Sequence, residues 1–228
     1  MPLRLDDIST GYGGHVAISH ATLSIERGEV VGLFGHNGAG KTTLLRVLAG
    51  QLPLWKGARE GRWDGASRAP LAALVPQDGL VFPTLSVEDN LRMGVWRQRL
   101  RSAELRRRVE HVLDLFPQLA GMLKREGGLL SGGEKRMVAI GRALLGEPEL
   151  LLVDEPSIGL APATLEIVME RLRRVHEEGT TIVLAEQNMP SALELVDRFY
   201  VVRQGETVRE EQAGDFRDRD ARELYALI

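Results

Sequence analysis

Gly35-His36-Asn37-Gly38-Ala39-Gly40-Lys41-Thr42-Thr43 is the stretch whose reading decides the fold. It fits the pattern G-x-x-x-x-G-K-[ST], which gains meaning only between a strand and a helix. Both neighbours are present. Val30-Val31-Gly32-Leu33-Phe34 is an apolar run that predicts a buried strand, and Thr43-Leu44-Leu45-Arg46-Val47-Leu48-Ala49 predicts a helix. The glycines let the backbone wrap closely around an anion, where a Cβ would clash or forbid positive φ. Amide N–H groups and the helix N-terminus then face the phosphates. Lys41 is expected to reach the β- and γ-phosphates of a nucleotide, and the Thr42 hydroxyl to bind Mg2+. Every residue from Gly35 to Thr43 is therefore a candidate nucleotide-binding residue. At ordinary residue usage a chance match in a chain of this length is of order 1%.

A second apolar run, Leu150-Leu151-Leu152-Val153, ends in Asp154-Glu155-Pro156. It reads as a strand buried on both faces, and open α/β sheets bind ligands at the C-terminal ends of such strands. Successive strand residues point to opposite faces, so two adjacent carboxylates can do different work. Asp154 is the expected Mg2+ partner, and Glu155 the candidate base or water-positioner. A third segment, Leu130-Ser131-Gly132-Gly133-Glu134, opens a helix through Met137, Ile140, Ala143 and Leu144. Ser131 is a natural N-cap, and two glycines behind it leave the helix N-terminus open to an anion. Alone, this third segment reads as no more than a capped helix.

In this order the three segments resemble the ATPase subunits of ABC transporters, across almost the whole length. The resemblance implies an α/β fold: a P-loop NTPase core with a mostly parallel sheet flanked by helices, an antiparallel β-subdomain, and an inserted helical subdomain at about 86–146. Residues 1–228 would be one nucleotide-binding domain. In that family the signature segment of one subunit closes over the γ-phosphate held by another. Ser131, Gly132, Gly133 and Glu134 would thus complete the ATP site of a second subunit, in a homodimer or heterodimer. Tyr12, in Thr10-Gly11-Tyr12-Gly13, matches the aromatic that stacks on adenine. Gln77, in Leu74-Val75-Pro76-Gln77, matches the glutamine that senses Mg2+ and the attacking water. Ser157-Ile158-Gly159-Leu160-Ala161-Pro162 matches the segment after the acidic strand end. The implied catalytic set is Glu155, Gln187 and Gln77, the metal set Thr42, Gln77 and Asp154, and the cofactors ATP and Mg2+.

A narrower resemblance, to the LivF-like group of branched-chain amino acid importers, rests on four features. They are Gly-Leu-Ala-Pro at 159–162, Ala185-Glu186-Gln187-Asn188, the run Val81 to Leu91, and Gly132-Gly133-Glu134. Most ABC ATPases carry a histidine where this chain has Gln187. A glutamine amide can donate to a phosphate but cannot become cationic. The stretch between Gly50 and Gln77, with Lys56-Gly57, Gly61-Arg62 and Asp64-Gly65, is shorter than the family's usual pattern and predicts a trimmed β-subdomain.

Composition sets bounds. The chain has 228 residues, 43% hydrophobic and 27% charged, as expected of a globular protein with one substantial core. The absence of cysteine removes disulfides, thiolate catalysis and Cys-based metal sites. No apolar run reaches the 18 residues of a membrane span, and Met1 to Asp7 lacks a signal peptide's layout. Membrane association is then expected through permease subunits, on the cytoplasmic face. A net charge of −3 argues against bulk nucleic-acid binding. His15, His20, His36, His111 and His176 share no metal-like spacing, so no zinc site is expected.

Leu3–Ile8 and Ala21–Ile25 predict early antiparallel strands, Leu71–Val75 and Thr180–Ala185 core strands, and Phe199–Arg203 with Glu206–Arg209 a hairpin. Ser86 with Asp89 predicts a capping box. Residues 86–146 are expected to be mostly helical, broken near Pro117 and Gly127-Gly128. Thr164–Glu177 is amphipathic, and a short helix is expected at Ala221–Leu227. Between 92 and 108 seven arginines face one acid, Glu104. The apolar stripe Leu105, Val109, Val112, Leu113, Phe116 makes this a solvated helix face first, and a surface for a permease or anionic lipid second. The expected function is ATP hydrolysis driving solute uptake, with permease partners, an upstream solute-binding protein and no nucleic acid. The rival is an ABC ATPase acting in cofactor assembly without a permease.

Overall fold

The structure, a computed structural model, describes residues 2–61, 71–217 and 219–228. Its first strands, β1 (Leu3–Tyr12) and β2 (His15–Ile25), fold back on each other at Gly13-Gly14. Both glycines lie at positive φ (56° and 85°), as a tight hairpin turn requires. The strands run further toward the turn than the sequence predicts. Pairing shifts after Leu5, Ile8 and Thr10, and Asp7 and His20 adopt positive φ. These bulges break the alternation of apolar residues that marks a strand in sequence.

Next come β3 (Val30–Phe34), α1 (Lys41–Leu48) and β4 (Lys56–Glu60). α1 begins at Lys41, two residues before the predicted start, because the helix takes over inside the glycine-rich loop. β4 pairs with β1 and completes a three-stranded antiparallel sheet, order β2-β1-β4. The part of the predicted trimmed region that holds Arg62, Asp64 and Gly65 lies outside the described residues.

β5 (Ala72–Val75), α2 (Val87–Arg92), α3 (Ser102–Leu115), α4 (Gly132–Leu144) and β6 (Leu150–Asp154) follow. Short 3-10 segments at 93–95, 117–122 and 127–129 interrupt the helices. The Ser86 hydroxyl caps α2 by accepting from Asp89 N at 3.1 Å. The Asp89 carboxylate returns to the Ser86 hydroxyl, not to its backbone N–H, so the predicted box is a cap without the reciprocal half. On α3, Val112 is buried, as is Phe116 at its end, while Arg107 and Arg108 pair with Glu104 and with Glu147 beyond α4.

α5 (Pro162–Glu177), β7 (Thr181–Glu186), α6 (Met189–Leu193), β8 (Arg198–Arg203), β9 (Glu206–Gln212) and α7 (Ala221–Leu227) end the chain. The larger sheet has the order β5-β6-β7-β3-β8-β9, parallel except for the β8-β9 hairpin. Its two faces feed different cores. Val30, Phe34, Leu151, Val153, Ile182 and Leu184 pack under α2 to α6. Val31, Leu33, Leu150, Leu152, Val183 and Ala185 pack against α1 and the antiparallel sheet. That two-residue period puts Asp154 on the α1 face of the sheet, in line with Leu150 and Leu152. No helix among the described residues is long and apolar enough to cross a membrane.

Candidate functional site

The glycine-rich loop leaves the C-terminal end of β3, in the middle of the larger sheet. Gly38 (φ 79°) and Gly40 (φ 111°) take conformations that side chains avoid. Gly35 lies so close to β8 that a Cβ would sit 2.2 Å from the Val202 carbonyl oxygen. Lys41 Nζ points back into the loop. It donates to the Gly35 carbonyl at 2.7 Å and the His36 carbonyl at 3.1 Å. It also pairs with Glu155 Oε1 at 2.9 Å, both side chains being almost fully buried (3% and 6% exposed). A polyanion entering the loop meets a cation already held by three oxygens.

Thr42, at the start of α1, donates from Oγ1 to Asp154 Oδ2 at 2.8 Å. Asp154 Oδ1 is buried and has no hydrogen-bond partner among the described residues. Burial pushes the Asp154 carboxyl above its ordinary range; the Thr42 bond opposes this and neighbouring Glu155 adds to it. An unpartnered buried carboxylate oxygen beside a hydroxyl fits a hard divalent cation such as Mg2+, which would supply the missing charge and contact. Gln77, after β5, lines both clefts that meet at Thr42, one of about 690 Å3 beside Arg46 and Asp154, one of about 720 Å3 over Gly38, Lys41 and Glu155. Both volumes fall in the range of small-molecule sites.

Glu155 breaks β6 with a positive φ of 44°, and its N–H donates to the Ala185 carbonyl at 2.9 Å. Sequence reasoning passed over two groups here. Glu186, fully buried at the end of β7, accepts from Ser157 N (2.8 Å), Ser157 Oγ (2.7 Å) and Asn188 N (3.3 Å). Burial raises its pKa against those bonds. Arg136, on α4, reaches the same strand ends. Glu186 stands in the sequence only as part of the Ala185–Asn188 run, with no role of its own, and Arg136 has none either; their burial as charged residues marks them.

A family model described as ABC transporter matches residues 18–158. The chain belongs to this family. It is 40% identical over 215 residues to the high-affinity branched-chain amino acid transport ATP-binding protein BraG of Pseudomonas aeruginosa, covering 90% of this chain and 91% of that one. A solved ATP-binding subunit of an ABC transporter superposes with a TM-score of 0.83 at 29% identity, covering 100% of this chain and 99% of the other. A dimeric bacterial ABC transporter cassette superposes with a TM-score of 0.80 at 26% identity, over 92% and 98% of the two chains.

This ABC transporter ATP-binding subunit does not gather every predicted site residue in one place. Neither cleft is lined by Ser131, Gly132, Gly133 or Glu134. Those residues form a full capping box on α4. Ser131 N donates to Glu134 Oε2 at 2.6 Å, and Glu134 N to Ser131 Oγ at 3.3 Å. The bond from Ser131 N–H holds the Glu134 carboxyl below its ordinary range. Tyr12, at the end of β1, is 42% exposed and lines neither cleft. Arg46 of α1 lies 5.8 Å from its ring centre and donates to its hydroxyl at 3.1 Å. Gln187 is half-buried just beyond β7, next to the Asn188 that Tyr225 of α7 reaches at 3.1 Å.

Proposed function

We propose that residues 1–228 act as one ABC-type nucleotide-binding domain, with about 86–146 as its helical part, driving solute uptake through membrane permease subunits. The observation that carries this reading is a site complete on one side only. Lys41, Thr42, Asp154, Glu155 and Gln77 converge at the loop, while Ser131–Glu134 stand outside it. The missing wall is the signature segment of a second subunit. The dimeric relative supports that arrangement, in a homodimer or a heterodimer. Similarity to BraG supports branched-chain amino acids or related small solutes as cargo, with an upstream solute-binding protein. The domain then works on the cytoplasmic face, peripheral to the membrane.

In this mechanism the loop amides and Lys41 bind the β- and γ-phosphates of ATP, and Lys41 exchanges its Glu155 contact for phosphate. Thr42, Asp154 and Gln77 would hold Mg2+, which supplies positive charge to the phosphate oxygens. Glu155, released from Lys41, orients and deprotonates the attacking water. Gln187 donates its amide to the γ-phosphate, and Tyr12 stacks on the adenine. The rest is positioning, which suffices for phosphoryl transfer.

Glu155→Gln is expected to bind Mg-ATP, lose at least about a hundredfold in kcat, and accumulate as an ATP-bound dimer on size-exclusion chromatography. Wild-type turnover in this variant would refute the role of Glu155. Tagged Glu155→Gln protein, recovered from membranes in Mg-ATP, should bring permease subunits with it. Recovery of soluble proteins alone would move the function to cofactor assembly.

A further inference from the structure

Arg136 is 5% exposed, in the second turn of α4. It makes no ion pair among the described residues. Its guanidinium donates instead to four main-chain carbonyls: Pro76 at 3.1 Å, Gln77 at 2.6 Å, Asp154 at 3.5 Å and Glu155 at 3.3 Å. Two of these lie in the segment after β5 and two at the end of β6. One planar fork therefore joins α4 to both.

Stability is a poor explanation for such a group. Removing a guanidinium from water without a paired carboxylate is costly, and a well-packed apolar residue commonly does better. Burial lowers the pKa of Arg136, offset first by Glu186 and then by Asp154. The position of its targets is more informative. Glu155 holds a φ of 44°, a conformation that persists only when its surroundings over-determine it. The Ala185 carbonyl takes its N–H, and Arg136 takes its carbonyl. Gln77 is held through the shortest of the four bonds. Arg142, further along α4, donates to Gly79 at 2.7 Å and Leu80 at 2.6 Å. It fastens the segment after Gln77 but does not reach β6.

We propose that Arg136 is a positioning residue for hydrolysis. It locks the main chain of Gln77 and Glu155 to α4, so that displacement of α4 moves both groups together. This rests on the roles given above to Gln77 and Glu155. The N-terminus of α4 carries Ser131–Gly133, the segment assigned to the partner's nucleotide. Engagement of that segment would then be felt at this chain's own water-positioning groups through one side chain. A fork is required, because a single ammonium cannot hold two separate pairs of carbonyls.

The test is steady-state ATPase kinetics on Arg136→Lys, beside nucleotide binding, thermal melting and the Glu155→Gln variant. Arg136→Lys is expected to melt near wild type and bind Mg-ATP within about threefold. Its kcat should fall at least about tenfold, the signature of misplaced groups and not of lost binding. Arg136→Gln, which keeps two N–H donors, takes its place if the lysine variant does not fold. Unchanged kcat in Arg136→Lys, with Glu155→Gln inactive, would overturn this inference alone. Turnover in Glu155→Gln would overturn the reading beneath it as well. Loss of fold in both Arg136 variants, or a kcat that merely follows melting temperature, would make Arg136 a stability residue and overturn the proposal.

Discussion

Asp154 is 2% exposed, bonded at one oxygen by Thr42 and unpartnered at the other. Its carboxyl is pushed above the ordinary range chiefly by burial. A carboxylate whose folded-state pKa is raised contributes stability below its unfolded pKa and loses it as pH rises through the folded value. Asp154→Asn is therefore expected to stabilise the ligand-free protein near neutral pH, by removing the buried charge. That advantage should shrink as the pH falls toward about 4. Thermal melts of both proteins at the two pH values check this; a less stable variant at neutral pH would mean that the Thr42 bond outweighs burial. Adjacent carboxylates after an apolar run are visible in sequence, and so are their separate faces. The orphaned oxygen is not, because it depends on what α1 brings from more than a hundred residues away. Arg136 was illegible for the same reason, since its partners are main-chain carbonyls 18 to 60 residues away; the pairing of Glu186 with Ser157 likewise spans 29 residues.

Among elements, the contact of α2 with α4 shows how closely backbones approach. Gly94 follows α2, and a Cβ there would lie 1.9 Å from the Arg142 carbonyl oxygen on α4. Relief requires the backbones to part. Gly94→Ala is expected to cost about 3 kcal/mol, read as a shift of the urea midpoint. At Gly132 an added Cβ would meet only the Gly159 carbonyl oxygen, at 3.8 Å, an ordinary van der Waals contact. Gly132→Ala should stay within about 0.5 kcal/mol of wild type, so the pair separates a glycine required by close backbone approach from one with room for a methyl group. Helices with strong periodicity and core strands were legible to within a few residues. The extent of β1 and β2 was not, since bulges at Leu5 to Thr10 disrupt the alternation that sequence displays. β4, with Lys56, Arg59 and Glu60, has little strand character of its own and forms because β1 offers an unpaired edge.

For the whole molecule, the larger sheet separates two cores and sets Lys41, Thr42, Asp154 and Glu155 at one end of its central strands. A ligand bound there stabilises the native state by mass action. Mg-ATP at a hundred times its Kd should add about 2.7 kcal/mol. In Glu155→Gln the melting temperature should also rise with protein concentration, because folding is then linked to dimerisation. A concentration-independent melt in Mg-ATP would argue against the second subunit. The sequence by itself determined the phosphate loop, the acidic strand end and the family resemblance, because each is a local pattern dictated by backbone geometry and strand period. Only the tertiary structure decided which groups hold Lys41, which carboxylate oxygen is left without a partner among the described residues, and that α4 grips Gln77 and Glu155 through Arg136. Those contacts join segments far apart in the chain, and no local periodicity encodes a distance across a sheet.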